Sequence, residues 1–335
     1  MQPIITTSDE NWQTLLKGAS IDLRELLDLL DLSSLTTHAS AEASQQFKLQ
    51  VPRPYVDRME KGNPLDPLLL QVLPQHAELE IHPGYSFDPL QEEHANPVPG
   101  LIHKYQGRVL LILSGACAIN CRYCFRRHFP YSDNQLSGQH WQQVIDYISA
   151  DDSITEVIFS GGDPLATTDK RLQQMIQALE KIPHITRLRI HTRLPVVIPQ
   201  RVTDTLCSIF AECRLNIVCV LHINHPQEID SHVATAMQRL QQVRVTLLNQ
   251  AVLLKGINDS VSTLKNLSET LFANRVLPYY LFVLDPVVGS AHFDVDDEQA
   301  VALVKALQNQ LPGYLVPKLA REIPGRPSKT LLSLS

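Results

Sequence analysis

The stretch VLLILSGACAINCRYC, residues 109–124, joins an apolar run to a loop of three cysteines. The run Val109–Leu113 has the length and composition of a buried strand. Cys117, Cys121 and Cys124 follow it with the spacing CxxxCxxC. In α/β proteins, ligands gather in loops at the carboxyl ends of parallel strands. The stretch therefore predicts an α/β fold in which the cysteines hold a bound group at the end of a strand.

The same alternation continues along the chain. Apolar runs predicted as strands cover residues 109–113, 156–159, 188–191, 216–221, 243–248 and 279–284. Amphipathic stretches predicted as helices cover residues 139–149, 169–181, 202–212, 229–241, 261–274 and 295–309. Crossover helices join parallel neighbours, and eight such units close a full barrel. Six units predict a partial (β/α)6 barrel, with an open doubly wound sheet as the alternative.

The N-terminal part lacks this alternation. Leucines with helical spacing at 23, 26, 27 and 30 are followed by stretches that prolines interrupt. We predict a helical cap over residues 1–95, the barrel over residues 96–311 and a C-terminal segment over residues 312–335.

Composition excludes several classes of partner. The chain has 335 residues, of which 44% are hydrophobic, and a net charge of −6. That charge argues against nucleic acid as a partner. No apolar run is long enough to span a membrane, and the first residues have neither the basic region nor the apolar region of a secretory signal. A cytoplasmic location is therefore expected.

The cysteine loop has several interpretations. Thiolates suit iron–sulfur clusters. A four-iron cluster held by three cysteines leaves one iron free to bind a small molecule. Zinc, with His128 as a fourth ligand, is the alternative, and three unrelated buried cysteines are another. The other cysteines, at 207, 213 and 219, are interpreted as small buried apolar residues.

A second motif follows the next predicted strand: Ser160-Gly161-Gly162-Asp163-Pro164. Paired glycines allow a ligand to approach the backbone, although the same sequence also suits an ordinary turn. The cysteine loop and this motif together resemble the radical S-adenosylmethionine (SAM) superfamily. The resemblance implies a [4Fe–4S] cluster at Cys117, Cys121 and Cys124 with SAM on its open iron. It also implies that the glycine-rich motif, including Asp163, holds the amino group of SAM.

From about residue 50 onward the chain resembles the lysine 2,3-aminomutases. The segments that carry the resemblance are His103-Lys-Tyr105, CRYCFRRHFPY, FSGGDPL, HINHP, LLNQAVLLKGIND, PYYLFVLD, AHF and GYLVP. The resemblance implies an isomerase that uses the cluster, SAM and pyridoxal 5′-phosphate (PLP) to convert L-lysine to β-lysine. The short form most resembles the bacterial enzymes whose β-lysine is attached to elongation factor P.

Carried over position by position, the resemblance implies roles for individual residues. Lys329 corresponds to the lysine that forms a Schiff base with PLP, and Arg126 to the arginine that binds the substrate carboxylate. Asp285 and Glu322 correspond to the residues that pair with the substrate ε-ammonium. The positions implied to contact SAM are Ser160, His222 and Gln250, and those implied to line the PLP pocket are Tyr105 and Arg108. Without the resemblance, Lys329 would be interpreted as a solvated lysine in a Pro/Gly-rich tail.

Some positions depart from the pattern of the longer enzymes. Glu322 replaces an aspartate, Ser260 replaces a partner cysteine, and the sequence given ends at Ser335, so no structural zinc is expected.

The implied partners are lysine, a reductant protein such as flavodoxin or ferredoxin, elongation factor P with its lysyl-transferring enzyme, and a second copy in a homo-oligomer. The alternatives are an aminomutase of another amino acid, above all arginine, a radical SAM enzyme without PLP, and an electron-transfer protein. Glutamate is disfavoured, because its γ-carboxylate would meet two carboxylates.

Overall fold

The computed structural model describes residues 11–33, 39–131, 134, 136 and 138–334. Residues 1–10 lie outside this range, and most of the segment that is predicted not to be a secretory signal falls within them. Short helices open the described chain: α1 Trp12–Lys17, α2 Leu23–Leu29, α3 Ala41–Gln46, α4 Arg53–Val56 and α5 Pro67–Leu70. Four of them are capped by the side chains of Asn11, Asp22, Ser40 and Asp66, which accept first-turn N–H groups.

The described residues form one nine-stranded sheet whose strands lie in chain order. Its strands are β1 Leu101–Tyr105, β2 Arg108–Ser114, β3 Glu156–Gly161, β4 Arg187–Thr192, β5 Asn216–His222, β6 Thr246–Val252, β7 Leu277–Phe282, β8 Lys318–Arg321 and β9 Thr330–Leu331. Neighbours from β2 to β8 pair in parallel, whereas β1 and β9 add antiparallel edges.

Helices connect the parallel strands. They are α6 Gly138–Ala150, α7 Asp169–Glu180, α8 Leu194–Val197, α9 Asp204–Glu212, α10 Ser231–Gln242, α11 Val261–Ala273 and α12 Asp297–Gln308. A doubly wound sheet reverses its strand order at a switch point, whereas this sheet keeps chain order throughout. The predicted partial barrel is therefore confirmed, and the doubly wound alternative is wrong.

Several strand bounds differ from the prediction. The fifth predicted strand, 243–248, is displaced to Thr246–Val252 as β6, because Arg244 has a φ of 64°, which a strand cannot contain. The sequence did not predict β1, β8 or β9. The last two are only four and two residues long, so they present too few alternating positions to give a pattern.

One hydrophobic cluster spans the N-terminal helices and the barrel. It includes Trp12 and Leu26 from the helices and Phe159 and Leu221 from the strands. Among the described residues, no helix has both the length and the apolar character needed to cross a membrane. Of the three cysteines outside the loop, Cys219 is buried, while those at 207 and 213 are only half-buried, so that prediction holds for one of the three.

Candidate active site

The cysteine loop lies between β2 and α6 and is held against the glycine-rich motif. The backbone N–H of Gly162 donates to the carbonyl of Ser114 at 2.7 Å, and that of Asp163 donates to Ala116 at 2.8 Å. A Cβ at Gly161, whose φ is 129°, would lie 2.3 Å from the Ser114 carbonyl oxygen. Only glycine permits this approach, so the motif fixes the start of the loop.

The N-terminal helices hold the other side of the loop. Glu78 pairs with Arg122 at 2.6 Å and with Arg127 at 2.9 Å, and all three side chains are at most 3% exposed. The ring of Phe47 lies against both guanidinium groups. The residues between and beside the cysteines are therefore anchored by buried charges.

The donor set fits an iron–sulfur cluster. Cys117, Cys121 and Cys124 are free thiols in one loop. Burial, with the neighbouring Cys121, raises the pKa of the Cys124 thiol to about 11, and iron binding removes such a proton. Among the described residues, no three His, Cys, Asp or Glu side chains could hold a single metal ion. A four-iron cluster would bind each thiolate at a different iron.

Arg193, which the sequence analysis missed, contacts this loop directly. It follows β4, and its Nη1 donates to Cys121 Sγ at 2.7 Å and to the Tyr123 hydroxyl at 2.9 Å. Its Nη2 donates to the buried Glu228 carboxylate at 2.8 Å and to Gln71 Oε1 at 2.7 Å. Arg193 directly follows a strand, as the cysteine loop does, and this position in the sequence could have identified it as a site residue.

The residues predicted to contact SAM lie beside the loop. His222 Nε2 is 2.9 Å from the Tyr123 hydroxyl, and His222 pairs in register with Gln250 on the neighbouring strand. Burial lowers the pKa of His222 to about 3, so its ring is neutral. The Asp163 carboxylate accepts hydrogen bonds from Thr192 and from the backbone N–H groups after β4. These bonds fix the orientation of the Asp163 side chain at the ends of β3 and β4.

Arg126 lies deep in the barrel, with its side chain 8% exposed. Its Nε and Nη2 donate to the two carboxylate oxygens of Glu92 at 2.7 and 2.8 Å, and its Nη1 donates to Ser160 Oγ at 3.0 Å. The side chain of the neighbouring Arg127 is also buried, at 3% exposed.

The C-terminal segment returns Lys329 into the barrel. The antiparallel pairing of Arg321 with Thr330 places Glu322 opposite Lys329, and Lys329 Nζ lies 2.7 Å from Glu322 Oε2. Nζ also lies 4.9 Å from the centre of the Phe282 ring. With 22% of its side chain exposed, Lys329 is not the solvated tail lysine of the alternative interpretation.

Charged groups surround Lys329. Burial would raise the pKa of Glu322, but Lys329 and Lys104 outweigh it and lower the pKa to about 2. Burial, together with the charge of Glu322, raises the pKa of Asp285 to about 7. The charge of Lys329 therefore acts on both residues that are predicted to bind the substrate ammonium. Glu322 is ionised at neutral pH, whereas Asp285 titrates near neutral pH.

The residues predicted for the PLP pocket lie near Lys329. The Tyr105 ring centre is 5.9 Å from Lys329 Nζ, and the Arg108 guanidinium lies 4.7 Å from the same ring centre. His191, on β4, was not predicted. Its Nε2 is buried and has no hydrogen-bond partner among the described residues, and Lys329 and Arg126 are among the charges that act on it.

Comparison with known proteins agrees with this arrangement. The Radical SAM superfamily model matches residues 111–263. An L-lysine 2,3-aminomutase of Haemophilus influenzae is 54% identical, covering 98% of this chain and 97% of that protein. An L-lysine 2,3-aminomutase of Escherichia coli is 53% identical, covering 98% and 96%. A glutamate 2,3-aminomutase of Clostridioides difficile is 30% identical, covering 98% and 78%.

Among solved structures, a radical SAM methyltransferase from Sphaerobacter thermophilus matches with a TM-score of 0.48 at 16% identity, covering 66% of this chain and 68% of that one. The sequence relatives carry the assignment, since they extend over nearly the whole chain at more than half identity. The chain belongs to the lysine 2,3-aminomutase family of radical SAM enzymes.

Proposed function

We propose that the chain is an isomerase that moves the α-amino group of L-lysine to the β-carbon and so produces β-lysine. The observation that carries this proposal is a series of linked ion pairs that runs from Arg126 through Glu92 and Lys104 to Glu322 and Lys329. A buried guanidinium lies at one end, while Glu322 and Asp285 lie with Lys329 at the other. A substrate with an α-carboxylate and a distant ammonium complements both ends.

Each set of residues holds one group in this proposal. Cys117, Cys121 and Cys124 would hold the cluster, and His222, Gln250 and the glycine-rich motif would contact SAM. Lys329 would hold PLP, with the rings of Tyr105 and Phe282 near its Nζ. When bound, the cluster would supply the electron that SAM needs to provide a hydrogen-abstracting radical, and PLP would supply a conjugated system for the migration of nitrogen.

The chain's own residues bind and orient the substrate. Arg126 would bind the α-carboxylate through two parallel N–H groups. Asp285 and Glu322 would accept hydrogen bonds from the ε-ammonium. Glu92 and Lys104 bond to Arg126 and Glu322, so they hold segment 92–104 against the charged groups of the proposed site.

The charges favour lysine over glutamate. A γ-carboxylate would face Glu322 and Asp285 as like charges, which is unfavourable in a buried site. Arginine, whose guanidinium also complements two carboxylates, is the competing substrate that the assay must include. We further propose a cytoplasmic enzyme, served by a flavodoxin or ferredoxin, whose β-lysine is attached to elongation factor P. The resemblance to the short bacterial enzymes supports these last assignments.

An anaerobic assay tests the proposal. The reconstituted chain, given SAM, PLP, dithionite and lysine, should form β-lysine, and it should act on arginine and glutamate far more slowly. Borohydride treatment should attach PLP to Lys329. The variant Lys329→Ala should keep its iron while losing this attachment and the activity. Formation of β-arginine but not β-lysine, or attachment of PLP at another lysine, would contradict the assignment.

A further inference from the structure

The hydrogen bonds of Arg126 leave a defined part of its guanidinium free. The group has five N–H donors. Glu92 takes Nε–H and one N–H of Nη2, and Ser160 takes one N–H of Nη1. Among the described residues, no partner bonds the remaining N–H of Nη1 or of Nη2. One N–H on each of Nη1 and Nη2 is therefore left for a substrate carboxylate.

We propose that Glu92 is a positioning residue that aims this free pair of donors at the substrate carboxylate, and that Lys104 couples Glu92 to the ammonium end of the site. The inference rests on the proposed function and adds two residues to it. Glu92 does not compete with the substrate, because it holds the side edge of the guanidinium and leaves the end edge open.

Glu92 is itself held rigidly. It begins the short 3-10 helix Glu92–Ala95, and its backbone N–H donates to Asp88 Oδ1 at 3.2 Å. Its side chain is 5% exposed. The rings of Phe125 and Phe129 lie 4.9 and 5.9 Å from the Arg126 guanidinium and restrict its plane. The orientation of Arg126 is therefore set by a buried carboxylate on one edge and aromatic rings beside it.

Lys104 links the two ends of the site. Its Nζ lies 3.2 Å from Glu92 Oε1 and 2.9 Å from Glu322 Oε1. One ammonium thus divides its hydrogen bonds between the carboxylate that orients Arg126 and a carboxylate proposed to bind the substrate ε-ammonium. If Glu92 loses its charge, Lys104 should pair more fully with Glu322 and compete with the substrate ammonium there.

A pair of ligands separates the two effects. Lysine presents both the α-carboxylate and the ε-ammonium, whereas norleucine has the same carbon chain and α-carboxylate but no ε-ammonium. Calorimetric titration of the PLP-loaded chain, without SAM or reductant, measures binding in the absence of turnover. Glu92→Gln, which keeps the shape but loses one acceptor and the charge, should weaken norleucine binding by about tenfold to a hundredfold. Lysine binding should weaken by a larger factor.

Lys104→Met provides the second variant. In the otherwise wild-type chain, this substitution removes the cation that competes with the substrate ammonium at Glu322. Lysine binding should therefore strengthen relative to norleucine binding. Misfolding cannot produce such an increase in affinity. In this background, Glu92→Gln should weaken the binding of both ligands by the same factor, because the link is gone. Glu298→Gln, an exposed change on α12, is the matched control and should alter neither ligand.

The outcomes distinguish the two levels of the proposal. If the wild-type chain binds no lysine, the proposed function fails. If it binds lysine but Glu92→Gln binds norleucine equally well, the positioning role of Glu92 is overturned alone. If Glu92→Gln weakens lysine and norleucine binding by equal factors while Lys104 is present, the coupling through Lys104 is overturned.

Discussion

Asp285 is the residue through which pH should act on substrate recognition. The charged groups that act on it are Glu322, Lys329, Lys104 and Glu92, and its pKa is raised to about 7 by burial and by Glu322. A carboxyl with a raised pKa is mostly protonated below that pH and ionised above it. Only the ionised form pairs strongly with an ammonium.

We therefore expect lysine to bind more tightly as pH rises from about 6 to about 8, while norleucine binding lacks this component. Asp285→Asn should remove the pH dependence and raise KM for lysine at pH 8 by about tenfold to a hundredfold. Glu322→Asp keeps the charge and should retain activity. Titration calorimetry across this pH range, with norleucine as the control ligand, measures the pH dependence of binding, and the anaerobic assay at varied lysine concentration measures KM. An unchanged KM in Asp285→Asn would show that the ammonium is recognised elsewhere.

At the scale of elements, Glu78 connects the N-terminal helices to the cysteine loop. It is 1% exposed and bonds two buried arginines of that loop, at 122 and 127. Removing it leaves two buried guanidinium groups without their shared carboxylate, the situation in which a buried pair is most costly to break.

Glu78→Ala should therefore lower the free energy of unfolding by about 3–5 kcal/mol and reduce the iron bound after reconstitution. Denaturant titration and iron analysis measure the two effects. Glu80→Ala, two residues away and exposed, should change neither. Full iron content together with normal stability in Glu78→Ala would show that the loop holds its shape without this anchor.

At the scale of the whole molecule, the N-terminal helices and the barrel share one core, so we expect them to unfold together. The two tryptophans report on the two parts, since Trp12 lies in α1 and Trp141 in α6. The guanidinium of Arg201 lies 4.4 Å from the Trp12 ring centre and ties α1 to the barrel.

The single-tryptophan variants Trp141→Phe and Trp12→Phe should give coincident fluorescence transitions in denaturant, matching the transition seen by circular dichroism. A lower midpoint for the variant that retains Trp12 would instead show that residues 1–95 unfold as a separate domain. The division of the chain near residues 95 and 311 remains a prediction until this is measured.

The sequence by itself determined the partial barrel and the cysteine loop. Strand and helix periods are local, and CxxxCxxC is a local spacing, so both can be read within a few residues. Resemblance to a family added Lys329, Arg126, Asp285 and Glu322, whose roles remain predictions.

Only tertiary structure placed Glu322 opposite Lys329, because that depends on the pairing of β8 with β9, strands too short to leave a pattern. It alone brought Lys104 to Glu322, 218 residues away, and Arg193 to Cys121, 72 residues away. Such contacts depend on the register of the sheet and the curvature of the barrel. These bring together residues that are far apart in the sequence, so no local sequence pattern predicts the contacts.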